Sequence, residues 1–292
     1  MKTMPGKLWL LVSLSLFLIK EEGRAIVFYS QGNSYNTTDP GGGLPWNNVV
    51  EVRSSSGISG SGVYLGNRYV LTAAHVGPSE LVRIGSADYS LESSVLTPFS
   101  GVDLKLLRLQ NDPVLGSVRL NTSFANDSGT VTLLGYGVGR SDTSLLSTSP
   151  VAWGDASTAI KRWGTNRVDG SVPALNVGSY TSSVLYTQFN TNQGASEAAL
   201  TLYDSGSALF KQVGSQWYLL GLGAYVATAN SSSAYPTNVS GNQTDDNNYF
   251  IRISSYASAQ DILGGVVVPE PGTGQLLMFA LGVYSVMRRR TS

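Results

Sequence analysis

One histidine, no cysteine and 19 carboxylate side chains set the chemical repertoire of this 292-residue chain. Thiol nucleophiles, disulfide frameworks and clustered zinc sites are excluded at once, because each needs residues the chain lacks. Catalysis here has to run through oxygen, and the group able to move a proton near neutral pH is the imidazole of His75. A serine hydroxyl is a poor nucleophile until such a base stands within hydrogen-bond reach. His75 closes the string Leu71-Thr72-Ala73-Ala74-His75, which puts an imidazole at the end of a strand-like run. By composition alone that string arises on the order of once in several thousand such chains, which separates it from an ordinary surface or core histidine.

The elements that would have to position these groups are short strands. The chain is 42% hydrophobic and 13% charged, and its 19 basic residues balance its 19 acidic ones. That composition excludes disorder and argues against nucleic-acid binding. Without its two terminal segments about 240 residues remain, enough for one two-layered domain or two halves sharing an interface. In that body 12 basic residues face 16 acidic ones, so no electrostatic patch dominates. Segments of β character recur at Val49–Ser54, Gly62–Leu65, Tyr69–Ala73, Leu81–Ile84, Leu104–Leu109, Thr130–Gly135, Ser183–Asn190, Ala208–Phe210, Trp217–Gly223 and Asn248–Ile253, separated by Gly, Asn, Asp and Ser clusters. The count predicts an all-β body of barrels or a sandwich. Ser254 to Leu263 reads as one short closing helix, capped by Ser254 or Ser255 and ended by Gly264-Gly265. Ala227 to Asn248, polar and carrying Asp245 and Asp246, reads as a surface loop.

Two further segments follow His75. Val102-Asp103-Leu104-Lys105-Leu106-Leu107-Arg108-Leu109 sets an acid among apolar neighbours, and Tyr203-Asp204-Ser205-Gly206-Ser207-Ala208-Leu209 sets a serine in a turn. With the histidine string they resemble, in the order His, Asp, Ser, the motifs of the trypsin- and chymotrypsin-like serine proteases. Pro45-Trp46, Gly135-Tyr136-Gly137 and the stretch Tyr249 to Ile262 resemble further landmarks of that family, so the likeness covers roughly 45–263. It implies two antiparallel six-stranded β-barrels, the first at about 45–115 and the second at about 130–253, with the helix at about 254–263 closing a domain of 26–264.

The resemblance implies His75 as general base, Asp103 as the acid that fixes its tautomer, and Ser205 as nucleophile, with the backbone amides of Tyr203 and Ser205 as oxyanion donors. No metal or other cofactor is expected, and the substrate is a polypeptide. Tyr203 stands where the family has glycine. A side chain there narrows the backbone choices, and an outward-facing amide would lose one oxyanion donor, worth about 3–4 kcal/mol in the transition state. Ala199, six residues before Ser205, is expected at the floor of the specificity pocket, with Ala224 and Val226 on its wall; Glu197 would change the floor if the alignment moved by two residues. With no anion at the floor, small or apolar residues are expected before the scissile bond. Cleavage after Ala25 would free Ile26, whose ammonium is expected to pair with Asp204, as in activated family members. Two rivals keep the fold: a surface binding or structural protein impaired by Tyr203, and an esterase using the same triad.

The two ends read as addresses. Lys2 and Lys7 precede the apolar run Leu8 to Ile19, and Gly23-Arg24-Ala25 follows, which predicts a signal peptide at 1–25 removed by signal peptidase. At the other end Val268-Pro269-Glu270-Pro271-Gly272, an apolar stretch to Met287 and Arg288-Arg289-Arg290 resemble a PEP-CTERM sorting signal at 265–292, processed by an exosortase. A helix from Gly272 to Met287 would rise about 24 Å, short of the roughly 30 Å hydrocarbon layer, which suits transient contact with the inner membrane. The implied destination is the periplasm, cell surface or exterior.

Overall fold

The computed structural model describes residues 26–28, 30–93, 100–141, 151–190, 193–227, 233–234 and 246–256. The signal segment 1–25, the sorting tail 265–292, most of the 227–248 loop and the closing helix beyond residue 256 lie outside them. At the start of that helix the chain forms a 3-10 turn, Ile253–Ser255.

The described residues are almost wholly β. A six-stranded antiparallel sheet runs Ala87–Ser90, Leu81–Ile84, Val49–Ser54, Gly57–Gly66, Tyr69–Thr72, Lys105–Arg108. An antiparallel bridge between Leu91 and Leu109 joins its two edges, supported by amide bonds from Glu92 to Arg108 and from Gln110 to Ser90, so the sheet closes into a barrel. A barrel leaves no open edge for other chains to pair with. Val50, Val52, Val70, Val82 and Leu107 on one face of the sheet and Val63, Leu71 and Leu106 on the other are each at most 1% exposed. Side chains of this kind contribute about 1.5–3 kcal/mol each when fully removed from water.

The second sheet runs Arg162–Val168, Gly129–Gly135, Ala208–Val213, Gln216–Ala227, Asn247–Arg252, Tyr180–Gln188, Gly170–Val177, with the short strand Arg119–Leu120 added in parallel against Gln216–Ala227. The two Asn166 side-chain N–H bonds, to the Gln188 and Ala198 carbonyls, tie its far strands together. Val131, Leu133, Leu185, Leu209, Leu220 and Phe250 fill it. The core of the first barrel continues into Leu134, Ala208, Phe210, Leu222 and Ile251 of the second, so the two share one apolar interface.

Besides five two-residue strands, three strands of four residues or more escape the hydrophobic pattern. Ala87–Ser90 is largely exposed. Arg162–Val168 points Arg162 and Asn166 inward, which hides its alternation from a count of apolar residues. Gly170–Val177 is exposed on both faces and contains Pro173, as an edge strand permits.

Candidate active site

Two of the three residues of interest are brought together by strand pairing alone. Tyr69–Thr72 and Lys105–Arg108 are antiparallel neighbours with Thr72 opposite Lys105. His75, three residues after Thr72, and Asp103, two before Lys105, therefore emerge at the same end of the pair. Asp103 is 2% exposed. One of its carboxylate oxygens accepts the His75 backbone amide at 2.9 Å, and the other lies 2.7 Å from His75 Nδ1. This double hold leaves the imidazole little rotational freedom and places the ring proton on Nδ1, with Nε2 as acceptor. The Ser182 hydroxyl, from the second barrel, accepts the Asp103 amide at 3.1 Å.

Lys105 occupies the place where the resemblance has a small residue. Its ammonium donates to the carbonyl of Val76 and, at 3.1 Å, to the Ser79 hydroxyl, tying the chain after His75 to the Asp103 strand. Burial pushes its pKa down, while the charge of Asp103 opposes the shift.

Ser205 comes from a loop of the second barrel, between the strands Ala198–Ala199 and Ala208–Val213. Its hydroxyl lies 2.7 Å from His75 Nε2. After Ser205 the Gly206 amide donates to the Gly223 carbonyl at 2.7 Å, and the Ser207 amide closes a turn back to the Asp204 carbonyl at 2.8 Å. Across the barrel interface the Ser61 amide donates to the Ser205 carbonyl at 2.8 Å. At Gly206 φ is +81°, and a Cβ there would sit 2.1 Å from the Ser61 carbonyl oxygen, so only glycine fits.

Tyr203 adopts φ +67°, the left-handed region that glycine enters freely and that costs a side chain about 1–2 kcal/mol. The backbone that the tyrosine was expected to resist is therefore present. The amides of Tyr203 and Ser205 donate to no protein acceptor among the described residues.

Asp204 is fully buried. Burial pushes its carboxyl up to about 6, against the pull of the Thr201 and Gly137 donors. One oxygen accepts the Gly137 amide at 2.8 Å; the other accepts the Thr201 amide at 2.9 Å, with the Thr201 hydroxyl at 3.1 Å. A Cβ on Gly135 or on Gly137 would come within 2.3 Å of this carboxylate, which is why the Gly135-Tyr136-Gly137 turn needs both glycines. In the uncleaved chain Ile26 is joined to Ala25 and carries no ammonium, so its pairing with Asp204 belongs to the processed form. Ile26 is buried in the second barrel, its carbonyl accepting from the Arg162 guanidinium at 2.8 Å. In the uncleaved chain the Asp204 carboxylate is met by the Gly137 and Thr201 donors.

A cleft of about 420 Å³ opens beside His75 and Ser205. Ala224 and Val226 line it as expected, together with Tyr225, Trp153, Val177 and the run Leu200–Leu202. Ala199 does not. It is 1% exposed and paired with Val27, and it packs against Phe189 and Val151. Glu197 is also turned elsewhere, accepting the amides of Asn190 at 2.6 Å and Gln193 at 2.7 Å. Among the described residues lining the cleft, the one carboxylate is that of Asp204, already engaged by Gly137 and Thr201. Ser61, Ser182, Thr201, Trp153 and Val177 carried no local signal that would mark them from sequence. Each acquires its place through contacts with residues far away in the chain.

Among the described residues there is no group of acidic and histidine side chains able to hold a metal ion, and no helix long and apolar enough to cross a membrane.

Residues 267–290 match the PEP-CTERM protein-sorting motif. No curated protein matches the chain in sequence. Among solved structures, the chain is similar to Rv3671c from M. tuberculosis H37Rv, in a Ser-to-Ala mutant described as an inactive form, with 16% identity and a TM-score of 0.52 over 80% of this chain and 94% of that one. The active form of the Rv3671c protease gives 16% identity and a TM-score of 0.51 over 75% and 82%. Neuropsin, a serine protease expressed in the limbic system of mouse brain, gives 17% identity and a TM-score of 0.50 over 76% and 95%. At such identities the likeness is one of fold, and the fold is that of the trypsin-like serine proteases.

Proposed function

We propose that this chain is an exported serine endopeptidase in which Ser205, His75 and Asp103 act in turn through an acyl-enzyme. The observation that carries the reading is the continuous line of contacts from the Ser205 hydroxyl through both ring nitrogens of His75 to the Asp103 carboxylate, each 2.7 Å long. In this mechanism His75 Nε2 takes the Ser205 proton as the oxygen attacks the scissile carbonyl carbon. The negative charge that develops on the carbonyl oxygen is met by the amides of Tyr203 and Ser205, fixed in place before the reaction begins. His75 then passes its proton to the departing amine, leaving an ester on Ser205. Water then attacks the ester carbon, giving a proton to the same nitrogen, and as the carbon–Ser205 oxygen bond breaks His75 returns that proton to Ser205, releasing the acid. Asp103 stays ionised throughout and stabilises the imidazolium formed in each half.

What supports activity over an impaired binding protein is the left-handed backbone at Tyr203, which removes the argument that a tyrosine must spoil the oxyanion donors. Substrate preference follows from the cleft wall. Leu200, Ala224 and Val226 are apolar and, among the described residues, no free carboxylate lines the space, so a lysine or arginine would lose its water without compensation. Small or apolar residues before the scissile bond are the fitting class. The sorting motif marks the chain as exported. With the signal at 1–25, the domain at 26–264 and the tail at 265–292, signal peptidase and an exosortase-type enzyme would process its ends, the tail touching the inner membrane only in passing.

The test is covalent labelling of the full chain by a fluorophosphonate, lost in Ser205→Ala. A peptide panel then separates endopeptidase from esterase and reads the preference. Absence of labelling would remove the enzymatic reading, and strong Lys/Arg selectivity would remove the apolar one.

A further inference from the structure

The left-handed conformation of Tyr203 persists only if its surroundings over-determine it. Within its own barrel the Val138 amide donates to the Leu202 carbonyl at 2.8 Å and the Asp204 amide to the Thr201 carbonyl at 3.2 Å; the contacts from the other barrel come from one residue. Ser61 is fully buried on the strand Gly57–Gly66. Its hydroxyl donates to the Tyr203 carbonyl at 3.0 Å, and its amide donates to the Ser205 carbonyl at 2.8 Å. The same hydroxyl oxygen accepts the Tyr136 amide at 2.9 Å. An oxygen receiving an N–H turns its own proton elsewhere, which directs the Ser61 proton to Tyr203. The Ser61 carbonyl is held in turn by the Thr72 hydroxyl at 2.6 Å, three residues before His75.

All the polar groups of Ser61 are thus engaged, two of them on carbonyls of the nucleophile loop. Those carbonyls belong to the peptide units that follow the Tyr203 and Ser205 amides. Holding them fixes the rotations about the two Cα atoms, and with them the direction of each N–H. The neighbouring residue shows how close the approach is: a Cβ on Gly60 would lie 2.9 Å from the Ser205 carbonyl oxygen.

We propose that Ser61 is a positioning residue for the oxyanion donors, its hydroxyl locking the left-handed turn that a tyrosine at position 203 does not hold unaided and a glycine would. This rests on the serine-hydrolase reading above.

The full chain is compared with Ser61→Ala, Tyr203→Gly and the double variant, following the second-order rate of fluorophosphonate labelling and kcat and KM on a small ester. Ser61→Ala is expected to lower labelling and kcat roughly 10- to 100-fold, short of the loss from deleting a donor outright. KM should change less than about threefold, because the amides matter most once charge develops. With Tyr203→Gly already present, the same serine substitution is expected to cost less than about threefold. A merely structural serine would cost the same factor in both backgrounds; that result, or labelling of Ser61→Ala at the wild-type rate, overturns the proposal. Ser61→Cys, with a weaker donor of similar shape, is expected to give an intermediate loss and stands in should the alanine variant not fold. A wild-type chain that fails to label points elsewhere: it overturns the hydrolase reading itself.

Discussion

In the first barrel, His75 and Asp103 sit at the ends of adjacent paired strands, and the register of Thr72 against Lys105 is enough to make them neighbours. In the second barrel, Ser205 sits on a loop whose shape depends on Ser61 and Thr72 from the first barrel, on Gly137, and on Gly223. The base and its acid are positioned by local β geometry; the nucleophile and its amides are positioned by contacts between distant parts of the chain. Local geometry tolerates exchange of side chains that do not disturb the pairing. A loop shaped from outside is sensitive to changes in residues that never touch substrate.

The comparison can be strained first on the base side. Asp103→Asn keeps the shape of the residue but offers the His75 ring a mixed donor and acceptor in place of two acceptors. On the proposed mechanism kcat should fall about 10⁴-fold with the fold intact, as read by ester hydrolysis and circular dichroism. A fall of less than about tenfold would mean that His75 takes its orientation from elsewhere.

The second strain concerns the loop. Gly206→Ala forces a Cβ to within 2.1 Å of the Ser61 carbonyl and 2.3 Å of the Thr72 hydroxyl at a positive φ. Urea unfolding should show a loss of about 3–4 kcal/mol. The control is Gly85→Ala in the first barrel, also at positive φ but with nothing within 4 Å. It should cost only about 1 kcal/mol, the backbone part alone. Equal losses would erase the contrast between the barrels.

The smallest effect sharpens the account of their interface. Lys161 donates to the Trp46 carbonyl at 2.8 Å and lies 4.9 Å from the Trp46 ring and 5.1 Å from the Tyr136 ring. Burial pushes its pKa down to about 7, with Asp39 opposing. A lysine whose folded pKa lies below its unfolded value binds its proton more weakly when folded. Its contribution to stability is therefore present above the ordinary lysine range and lost as pH falls through about 7. Lys161→Met removes this term. Relative to wild type it should gain about 2 kcal/mol more at pH 6 than at pH 10, the two aromatic faces offsetting part of the burial cost. A difference independent of pH would show the ammonium to be fully compensated where it lies.

The legible parts of the molecule follow the same division. Val49–Ser54 and Leu81–Ile84 have the bounds that alternation predicts, because one face of each meets the core. Arg162–Val168 was hidden because its inward residues are an arginine and an asparagine serving distant carbonyls of Ile26, Gln188 and Ala198. The three residues that meet at the cleft were each marked by a short string in the sequence. The floor was not: Ala199 has the right offset from Ser205, yet pairing with Val27 takes it out of the cleft and leaves the next three residues to line it.

By itself the sequence determined the repertoire: one imidazole, oxygen nucleophiles, many short strands, and a C-terminal sorting motif. These are properties of residue types and of spacings within a few residues. Only the tertiary structure decided that Tyr203 takes a glycine's conformation, that the Asp204 carboxylate receives the Gly137 amide, and that Ser61 faces the nucleophile loop. Each of those depends on hydrogen bonds between residues scores of positions apart, whose geometry is fixed when the two barrels pack and not before.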